Sequence, residues 1–249
     1  QAAQQFARLA ASPGMEARAF SGLGDAWFMR GQLATARDRF HDCLEIVERH
    51  GLKEIEPVNR AMYAHAQLYM LQMDEARENV LAAIEQARAG KNIRAEMVAR
   101  GSCAGKIFFD CGEYAEARRQ SDLAIEIAGR IGNRRFEVVN MAIVAQIDMV
   151  DGDRARAMET ARQAVAISRK TGIRFAGPLA MGALALATDS EEERREVISE
   201  GMAVLDQGCV GHNYLWFYRN AMEALLVAGN NQGALSIAEA AEEYTSAQP

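Results

Sequence analysis

Eight side chains of this sequence are the first candidates for chemistry, because histidine and cysteine are common metal ligands and nucleophiles near neutral pH. They are His41, His50, His65, His212, Cys43, Cys103, Cys111 and Cys209. From the spacing we expect no carboxylate or cysteine partner for any of the histidines. Scattered cysteines of this kind are typical of small buried side chains in a reducing compartment. The sequence therefore predicts no metal, no cofactor and no catalytic residue.

Short motifs that would indicate an enzyme are incomplete. Ser21-Gly22-Leu23-Gly24 has two glycines of a dinucleotide-binding loop, but no strand precedes them and no third glycine follows. Asp151-Gly152-Asp153 resembles the start of a calcium loop but lacks the further oxygen ligands and the glutamate at the twelfth position. The segment is therefore predicted not to be an enzyme. A cryptic site in a surface groove is the remaining enzymatic alternative.

Composition and charge disfavour several classes of partner. The 249 residues include 28 basic and 34 acidic side chains, a formal net charge of −6, without a basic cluster interleaved with aromatics. No nucleic-acid partner is therefore expected. The least polar stretch, 175–188, is too short to span a bilayer, and we expect no membrane contact. Without a recognisable signal peptide, the segment is predicted to be cytoplasmic. Because it begins with glutamine, we expect it to belong to a longer protein.

A repeated pattern predicts the elements that position these residues. A glycine precedes an alanine by five residues in four places, and two weaker copies lack the glycine. The six turn positions are Gly31, Leu71, Gly112, Gly152, Asp189 and Gly229. A second glycine, suited to a left-handed helix C-cap, follows 19 or 20 residues after each of the first five. These closing positions are Gly51, Gly90, Gly132, Gly172 and Gly208. The turn positions and the closing positions both recur about every 40 residues, which indicates an array of helical hairpins.

Apolar residues within the repeats have the periodicity of half-buried helices. In the first repeat, Phe20, Gly24 and Trp27 occupy one helix face. The fifth repeat lacks its turn glycine, and there the stretch 188–193 has the serine and acidic residues of a helix N-cap and first turn.

The stripe around Gly24 and Trp27, followed by Gly31, Ala36 and Phe40, resembles the tetratricopeptide repeat (TPR). In that family, small residues at fixed positions let neighbouring helices approach closely. The resemblance implies an all-α fold, a right-handed superhelix (α-solenoid) of about six helical hairpins with a leading helix. One domain would cover 1–249, with the leading helix at 1–14 and repeats near 15–51, 55–90, 93–132, 134–172, 173–208 and 211–245.

The same resemblance implies where a partner would bind, because in that family fixed positions of each first helix line the concave groove. The groove residues so assigned are Arg18, Asp25, Phe28, His65, Tyr69, Lys106, Phe109, Asp110, Gln146, Trp216, Arg219 and Glu223. Met29 and Val150 fall at equivalent positions. This mixture of aromatic, apolar and charged groups suits an amphipathic peptide better than a polyanion. For the aromatic members, packing between helices is an equally good explanation.

The predicted function is therefore a protein-interaction or intramolecular regulatory scaffold that binds a peptide or a partner domain. The alternative is a small-molecule sensor that closes on a ligand near Trp216. Chaperone-binding TPR proteins grip a terminal carboxylate with Asn and Lys, but the first two repeats have Gly22, Asp25 and His65 at the corresponding positions, so that clamp is absent. The exposed solenoid ends suggest a possible homodimer.

A second resemblance concerns 171–178, 208–219 and Glu243-Tyr244-Thr245. These stretches resemble the carboxy-terminal TPR region of bacterial multidomain proteins in which a class III adenylate or guanylate cyclase domain is followed by an AAA-type ATPase. The resemblance implies a signal-transduction protein whose catalytic domains lie outside this segment. Neither the cyclase metal carboxylates nor a phosphate loop occurs in these residues.

Overall fold

Helices joined by short turns make up the described part of the chain, as the repeat pattern predicts. The computed structural model describes residues 12–246, so the leading helix predicted for 1–14 lies almost wholly outside the described residues. The helices are α1 Pro13–Phe28, α2 Leu33–His50, α3 Glu56–Tyr69, α4 Met73–Ala89, α5 Ile93–Val98, the π-helical segment π1 Ala99–Gly105, α6 Lys106–Asp110, α7 Tyr114–Arg130, α8 Arg134–Val150, α9 Arg154–Thr171, α10 Ile173–Ala187, α11 Glu191–Asp206, α12 His212–Val227 and α13 Asn231–Thr245. No strand occurs within residues 12–246, which confirms the all-α class.

Consecutive helices pair into hairpins, within two compact units whose boundary follows Ile127. We call α1, α3, the continuous α5–π1–α6, α8, α10 and α12 the first helices, and their hairpin partners the second helices. In unit 1, α3 packs against π1; in unit 2, α8, α10 and α12 pack side by side. Across the described residues, no helix combines the length and apolar character needed to cross a bilayer.

Backbone angles at the turns confirm the register indicated by the glycines. Four turn positions have φ between 74° and 82°: Gly31, Gly112, Gly152 and Gly229. Leu71, the copy without a glycine, adopts the same left-handed conformation with φ 58°. Among the closing positions, the second repeat differs from the prediction, because Gly90 has φ −80° and Lys91 takes the left-handed conformation with φ 52°.

One extra residue in the third repeat is absorbed by π1. Turn positions 71 and 112 are 41 residues apart, whereas 31 and 71, and 112 and 152, are 40 apart. A π-helical turn takes up an additional residue without ending the helix. The repeat pattern does not predict this π-helical segment.

The fifth repeat replaces its turn glycine by coupled changes. Ser190 caps α11 by accepting a hydrogen bond from the Glu193 N–H at 3.2 Å, as predicted. Arg194 occupies a position where the other repeats have alanine. Its guanidinium donates to the carbonyl oxygens of Ala185 and Thr188 at 3.2 and 2.5 Å. Arg194 therefore supplies hydrogen bonds to backbone carbonyls at the carboxyl end of α10. In the other repeats, a left-handed residue closes the equivalent helix.

Two glycines let aromatic rings lie against a helix backbone. A Cβ at Gly24 in α1 would lie 2.5 Å from Phe40 Cε1 in α2, within the first hairpin. A Cβ at Gly201 in α11 would lie 2.2 Å from Phe217 Cε2 in α12, the first helix of the next hairpin. Both rings are fully buried. These positions therefore require a residue without a side chain.

Candidate interaction surface

The predicted groove residues of unit 1 divide into exposed and buried groups. Arg18 and Asp25 on α1 are exposed, whereas Phe28 at the end of that helix is buried. His65 on α3 and Lys106 on α6 are buried as well. Half-buried members are Tyr69, Phe109 and Asp110. A partner can therefore reach the two charged residues and part of the rings, but not the bodies of Phe28, His65 or Lys106.

His65 lies in a buried cluster contributed by three first helices. Its ring centroid is 5.2 Å from that of Phe28 and 5.5 Å from that of Tyr69, and its Nδ1 is 3.9 Å from Cys103 Sγ. The expectation that no histidine has a cysteine neighbour is therefore wrong. Burial raises the pKa of the Cys103 thiol to about 12, so this pair does not hold the thiolate that a nucleophile requires. The contact packs α3 against π1.

An ion pair lies on α6, the helix that continues π1. Lys106 Nζ pairs with Asp110 one helical turn later, and the ammonium lies 5.6 Å from the centroid of the Phe109 ring. Phe109 in turn packs edge-on against Tyr114 of α7 at 5.5 Å. Because both charges of the pair are largely withdrawn from water, they orient α6 rather than present a free ammonium to solvent.

A polar network that the sequence analysis missed joins the two helices of the second hairpin. Arg60 Nη2 donates to Glu56 Oε1 at 2.6 Å, and Nη1 donates to Asn79 Oδ1 of α4 at 3.0 Å. Gln67, buried on α3, accepts from the Asn79 side-chain amide at 3.0 Å. The hairpin therefore closes through amide and guanidinium groups as well as apolar contacts.

The third hairpin repeats this network forty residues later. Arg100 Nε donates to Glu96 Oε1 at 2.8 Å, and Nη1 donates to Gln120 Oε1 of α7 at 2.6 Å. Arg100 is only 7% exposed. The repeat of glutamate and arginine four residues apart on successive first helices, followed by an amide on the second helix, is the sequence signal that could have found both networks.

In unit 2, the predicted groove residues also separate by exposure. Trp216 is 4% exposed, and its ring centroid lies 5.1 Å from that of His212. Arg219 and Glu223, farther along α12, are exposed. Gln146 on α8 is half-buried and donates its amide to a carbonyl one turn earlier at 3.0 Å. Trp216 thus lies inside the helix layer, and the two charged residues lie on its surface.

Four aromatic rings form a column across the first helices of unit 2. Phe136 of α8 lies 5.5 Å from Phe175 of α10, and Phe175 lies 6.1 Å from His212 of α12. His212 continues the column to Trp216. Ring centroids 4.5–7 Å apart give favourable tilted and edge-to-face contacts. Of this column, Trp216 alone was among the predicted groove residues, and His212 was considered only as a candidate for chemistry.

Pro178 leaves a carbonyl free within α10, and α12 satisfies it. Proline has no N–H to donate to the carbonyl four residues earlier, which belongs to Arg174. The N–H of Val210 and the side-chain amide of Asn213 both lie 3.4 Å from that oxygen. The same amide donates to the Phe175 carbonyl at 2.8 Å, and Asn213 is fully buried. Hairpins five and six are therefore joined by specific hydrogen bonds.

His212 belongs to the same joint. Its buried ring makes a hydrogen bond with the Phe175 backbone. Burial lowers the pKa of His212 to about 4, although that hydrogen bond acts in the opposite direction. The stretches 171–178 and 208–219, which carry the second resemblance, therefore contact each other directly.

Large apolar side chains are exposed at the carboxyl ends of several first helices. In unit 1, Met29 directly follows α1 and is 52% exposed, and Leu71 in the turn after α3 is 78% exposed. In unit 2, Val150 ends α8 at 50%, and Leu226 and Val227 end α12 at 56% and 75%. Single exposed apolar residues are ordinary, whereas these recur at or just before the turn that follows four of the first helices. Met29 and Val150 are also among the groove positions that the TPR resemblance implies.

One possible set of metal ligands lies on α2. His41, Asp42 and Glu45 place one ligand atom each within 4.8 Å of one another, so the expectation of no carboxylate near a histidine is also wrong here. Asp42 already pairs with Arg39 at 2.9 Å, and His41 packs against the Tyr63 ring at 5.8 Å. Three ligands from one partly exposed helix face do not enclose an ion.

Comparison with known proteins gives similarity of structure but not of sequence, since no family model and no curated protein matches the chain. Aspartyl phosphate phosphatase F from Bacillus subtilis aligns with a TM-score of 0.72 and 16% identity, over 92% of this chain and 59% of that one. The apo form of RapI aligns with a TM-score of 0.64 and 12% identity, over 94% and 84%.

A third similar structure is a signal transduction ATPase with numerous domains (STAND) from Pyrococcus horikoshii, which carries a tetratricopeptide repeat sensor. It has a TM-score of 0.59 and 16% identity, over 95% of this chain and 37% of that one. This chain thus spans little more than half of the phosphatase and about a third of the ATPase. At these identities the likeness shows the fold alone, a TPR-like helical solenoid, as the sequence resemblance implies.

Proposed function

We propose that this segment is a protein-interaction or regulatory scaffold that binds a partner protein or peptide on the first helices of its units. The observation that carries this proposal is the recurrence of exposed apolar side chains at the carboxyl ends of those helices. Such side chains provide anchors for the apolar face of an amphipathic segment, and nearby charges fix its orientation. The TPR-like fold supports the proposal by analogy only.

The proposed contact face is most sharply defined on α12. Arg219, Glu223 and Leu226 follow one another at intervals of four and three residues, so they share one side of the helix, and Val227 extends it. Buried members of the predicted groove, such as Trp216, would position this face rather than touch the partner. A sensor that closes on a ligand at Trp216 would first have to open the buried layer, so we favour the interaction scaffold.

Site-specific crosslinking tests this proposal. A photoreactive amino acid at Leu226 should capture a partner in cells, whereas the same group at Leu235, an equally exposed leucine on a second helix, should not. Leu226→Asp should abolish capture by a crosslinker at position 223, and Leu235→Asp should leave it intact. Equal capture from positions 226 and 235, or none from 226, would reject the first-helix surface.

The wider context is also a proposal. We propose that the segment works in a cytoplasmic, multidomain signalling protein of the cyclase type. The second resemblance supports this, and one structural neighbour is itself a signal transduction ATPase with such repeats. Determining the complete reading frame tests this proposal. A frame without a cyclase domain would reject the cyclase-type context, but it would not bear on the proposed interaction surface. Cell fractionation tests the location.

Self-association through exposed solenoid ends is proposed separately. Light scattering over a concentration series should detect a dimer if the ends pair. A monomer at the highest concentration would reject it.

A further inference from the structure

A cleft of about 320 Å³ lies between the second helices α11 and α13 of unit 2 and reaches the end of α12. Ile198 of α11, Leu225 and Ala228 at the end of α12, and Ile237 of α13 supply apolar lining. The polar lining comes from Glu191, Arg194, Arg195, Ser199 and Asn230. A volume of this size is at the lower end of the range found for small-molecule sites.

The three second helices of unit 2 share one register, which helps to explain the cleft. Asp153, Ser190 and Asn230 are the N-caps of α9, α11 and α13, and each side chain accepts a hydrogen bond from the N–H three residues later, at 2.9–3.2 Å. Equivalent positions in the three helices can therefore be counted from these caps.

Two bidentate ion pairs join α9 to α11. Arg162 donates to the Glu193 carboxylate at 2.8 and 2.9 Å, and Arg169 donates to the Glu200 carboxylate at 2.5 and 3.0 Å. Counted from the caps, the equivalent positions at the step from α11 to α13 are Ser199 and Gly233 for the first pair and Asp206 and Ala240 for the second. Neither ion pair can form between α11 and α13. Because Ser199 and Gly233 are small, the space that an arginine and a glutamate would fill remains open as the cleft.

The charges that line the cleft leave one guanidinium available. Arg194 is committed to the carboxyl end of α10. Glu191 and Arg195 are one helical turn apart, but within residues 12–246 neither forms an ion pair, and Arg195 makes no hydrogen bond there. With Arg194, Arg195 and Glu191 as its ionic groups, the lining carries one net positive charge. The exposed Arg195 is therefore complementary to an anion whose apolar part contacts the cleft wall.

We propose that this cleft binds a small amphipathic carboxylate, with its apolar body between α11 and α13 and its carboxylate on Arg195. The volume corresponds to roughly ten waters, and therefore to a ligand of about ten to twelve non-hydrogen atoms. A guanidinium pairs with a carboxylate in a planar, two-bond geometry, which gives this anion an advantage over an uncharged analogue. The carboxylate-binding Arg195 and the walls of the cleft lie mainly on second helices, with Leu225 and Ala228 of α12 at one end, and the site does not depend on the function proposed for the first helices.

Titration with 4-phenylbutyrate, and with 4-phenylbutan-1-ol as its uncharged analogue, tests the assignment. Methyl NMR should show shifts at Ile198 and Ile237. The carboxylate should bind about tenfold more tightly than the alcohol, a difference of about 1.4 kcal/mol, because only the carboxylate forms a charge-assisted pair with Arg195. Arg195→Gln should remove this preference without removing alcohol binding. Ser199→Leu should fill the cleft and abolish both, whereas Lys170→Gln, a surface cation on α9, should change neither.

Three results would overturn the proposal. Equal affinity for the acid and the alcohol would reject Arg195 as the carboxylate site. Saturable binding without shifts at the two isoleucine methyl groups would place the ligand elsewhere. Failure of both compounds to bind, together with protection of these methyl groups by a captured protein partner, would make the cleft a protein-docking surface. Circular dichroism of each variant confirms that the comparison is made between folded proteins.

Discussion

Units 1 and 2 have similar repeat spacing but join their helices by different interactions. Both units bury polar side chains, but those of unit 1 include two cations, Arg100 and Lys106, whereas the charged side chain buried in the described part of unit 2 is Asp148. Unit 2 uses an aromatic column and a proline-interrupted helix whose free carbonyl is satisfied by Asn213. The turn positions and the small residues of the repeats therefore determine where the helices lie, but they do not determine which side chains form the contacts between helices.

The comparison predicts that unit 1 is most sensitive to the loss of one member of a buried polar set. Arg100→Ala should destabilise the protein by about 3 kcal/mol, because Glu96 and Gln120 would keep their desolvation cost without their partner. Urea unfolding measures this difference. Exposed Arg130→Ala serves as the control.

Replacing Arg100 together with its two hydrogen-bond partners tests the same explanation. The triple variant Arg100→Met, Glu96→Leu and Gln120→Leu should recover most of the loss, since apolar groups of similar volume need no hydrogen-bond partner. A single variant as stable as wild type would show that the network contributes nothing to this joint.

In unit 2, the contact between α10 and α12 should make the free energy of unfolding depend on pH through His212. His212 has a pKa of about 4 when folded and 6.5 when unfolded, so the unfolded chain takes up the proton first as the pH falls. The associated stability is therefore complete above pH 6.5 and is lost towards pH 4, by roughly 3 kcal/mol. Urea unfolding at pH 7 and pH 4 should show a smaller loss for His212→Gln than for wild type. An identical loss in both proteins would mean that this histidine is not held neutral.

Substitution of two glycines tests whether stability depends on the close approach of helices. Gly24 makes such a contact within a hairpin of unit 1, and Gly201 makes one between hairpins of unit 2. Gly24→Ala and Gly201→Ala should each cost about 1–3 kcal/mol, because a methyl group would overlap a buried phenylalanine ring. Gly22→Ala, in the same helix as Gly24 but with nothing within 4 Å of the added Cβ, should stabilise by about 0.5–1 kcal/mol. Melting curves of all three variants would refute the packing argument if they shifted in the same direction.

A small effect is predicted for the turn of the second hairpin. Leu71→Gly should stabilise by about 1 kcal/mol, since leucine is strained at φ 58° and its side chain is mostly exposed. Leu71→Ala keeps the strain and is the matched control. If the glycine variant gains nothing over the alanine variant in urea unfolding, the turn is not strained.

The sequence predicted the helical hairpins because a backbone that turns left-handed favours glycine, and this requirement repeats at fixed intervals. It failed at Gly90 and Lys91, where the left-handed residue is one position later, and at π1, where a single extra residue changes the helix type. Exposure of the groove residues could not be predicted. Arg219 and Trp216 occupy neighbouring turns of one helix, and only packing with other helices buries one of them.

The cross-links of Asn213 to α10 also bear on how the chain is made. A growing polypeptide emerges and folds from its amino end, so helix α10 leaves the ribosome before Asn213 does. Until then, the carbonyl freed by Pro178 has only water as a partner, so α10 cannot complete its burial. The fifth hairpin must therefore wait for the sixth, and a nascent chain arrested between them would expose its most apolar helix to chaperones and proteases.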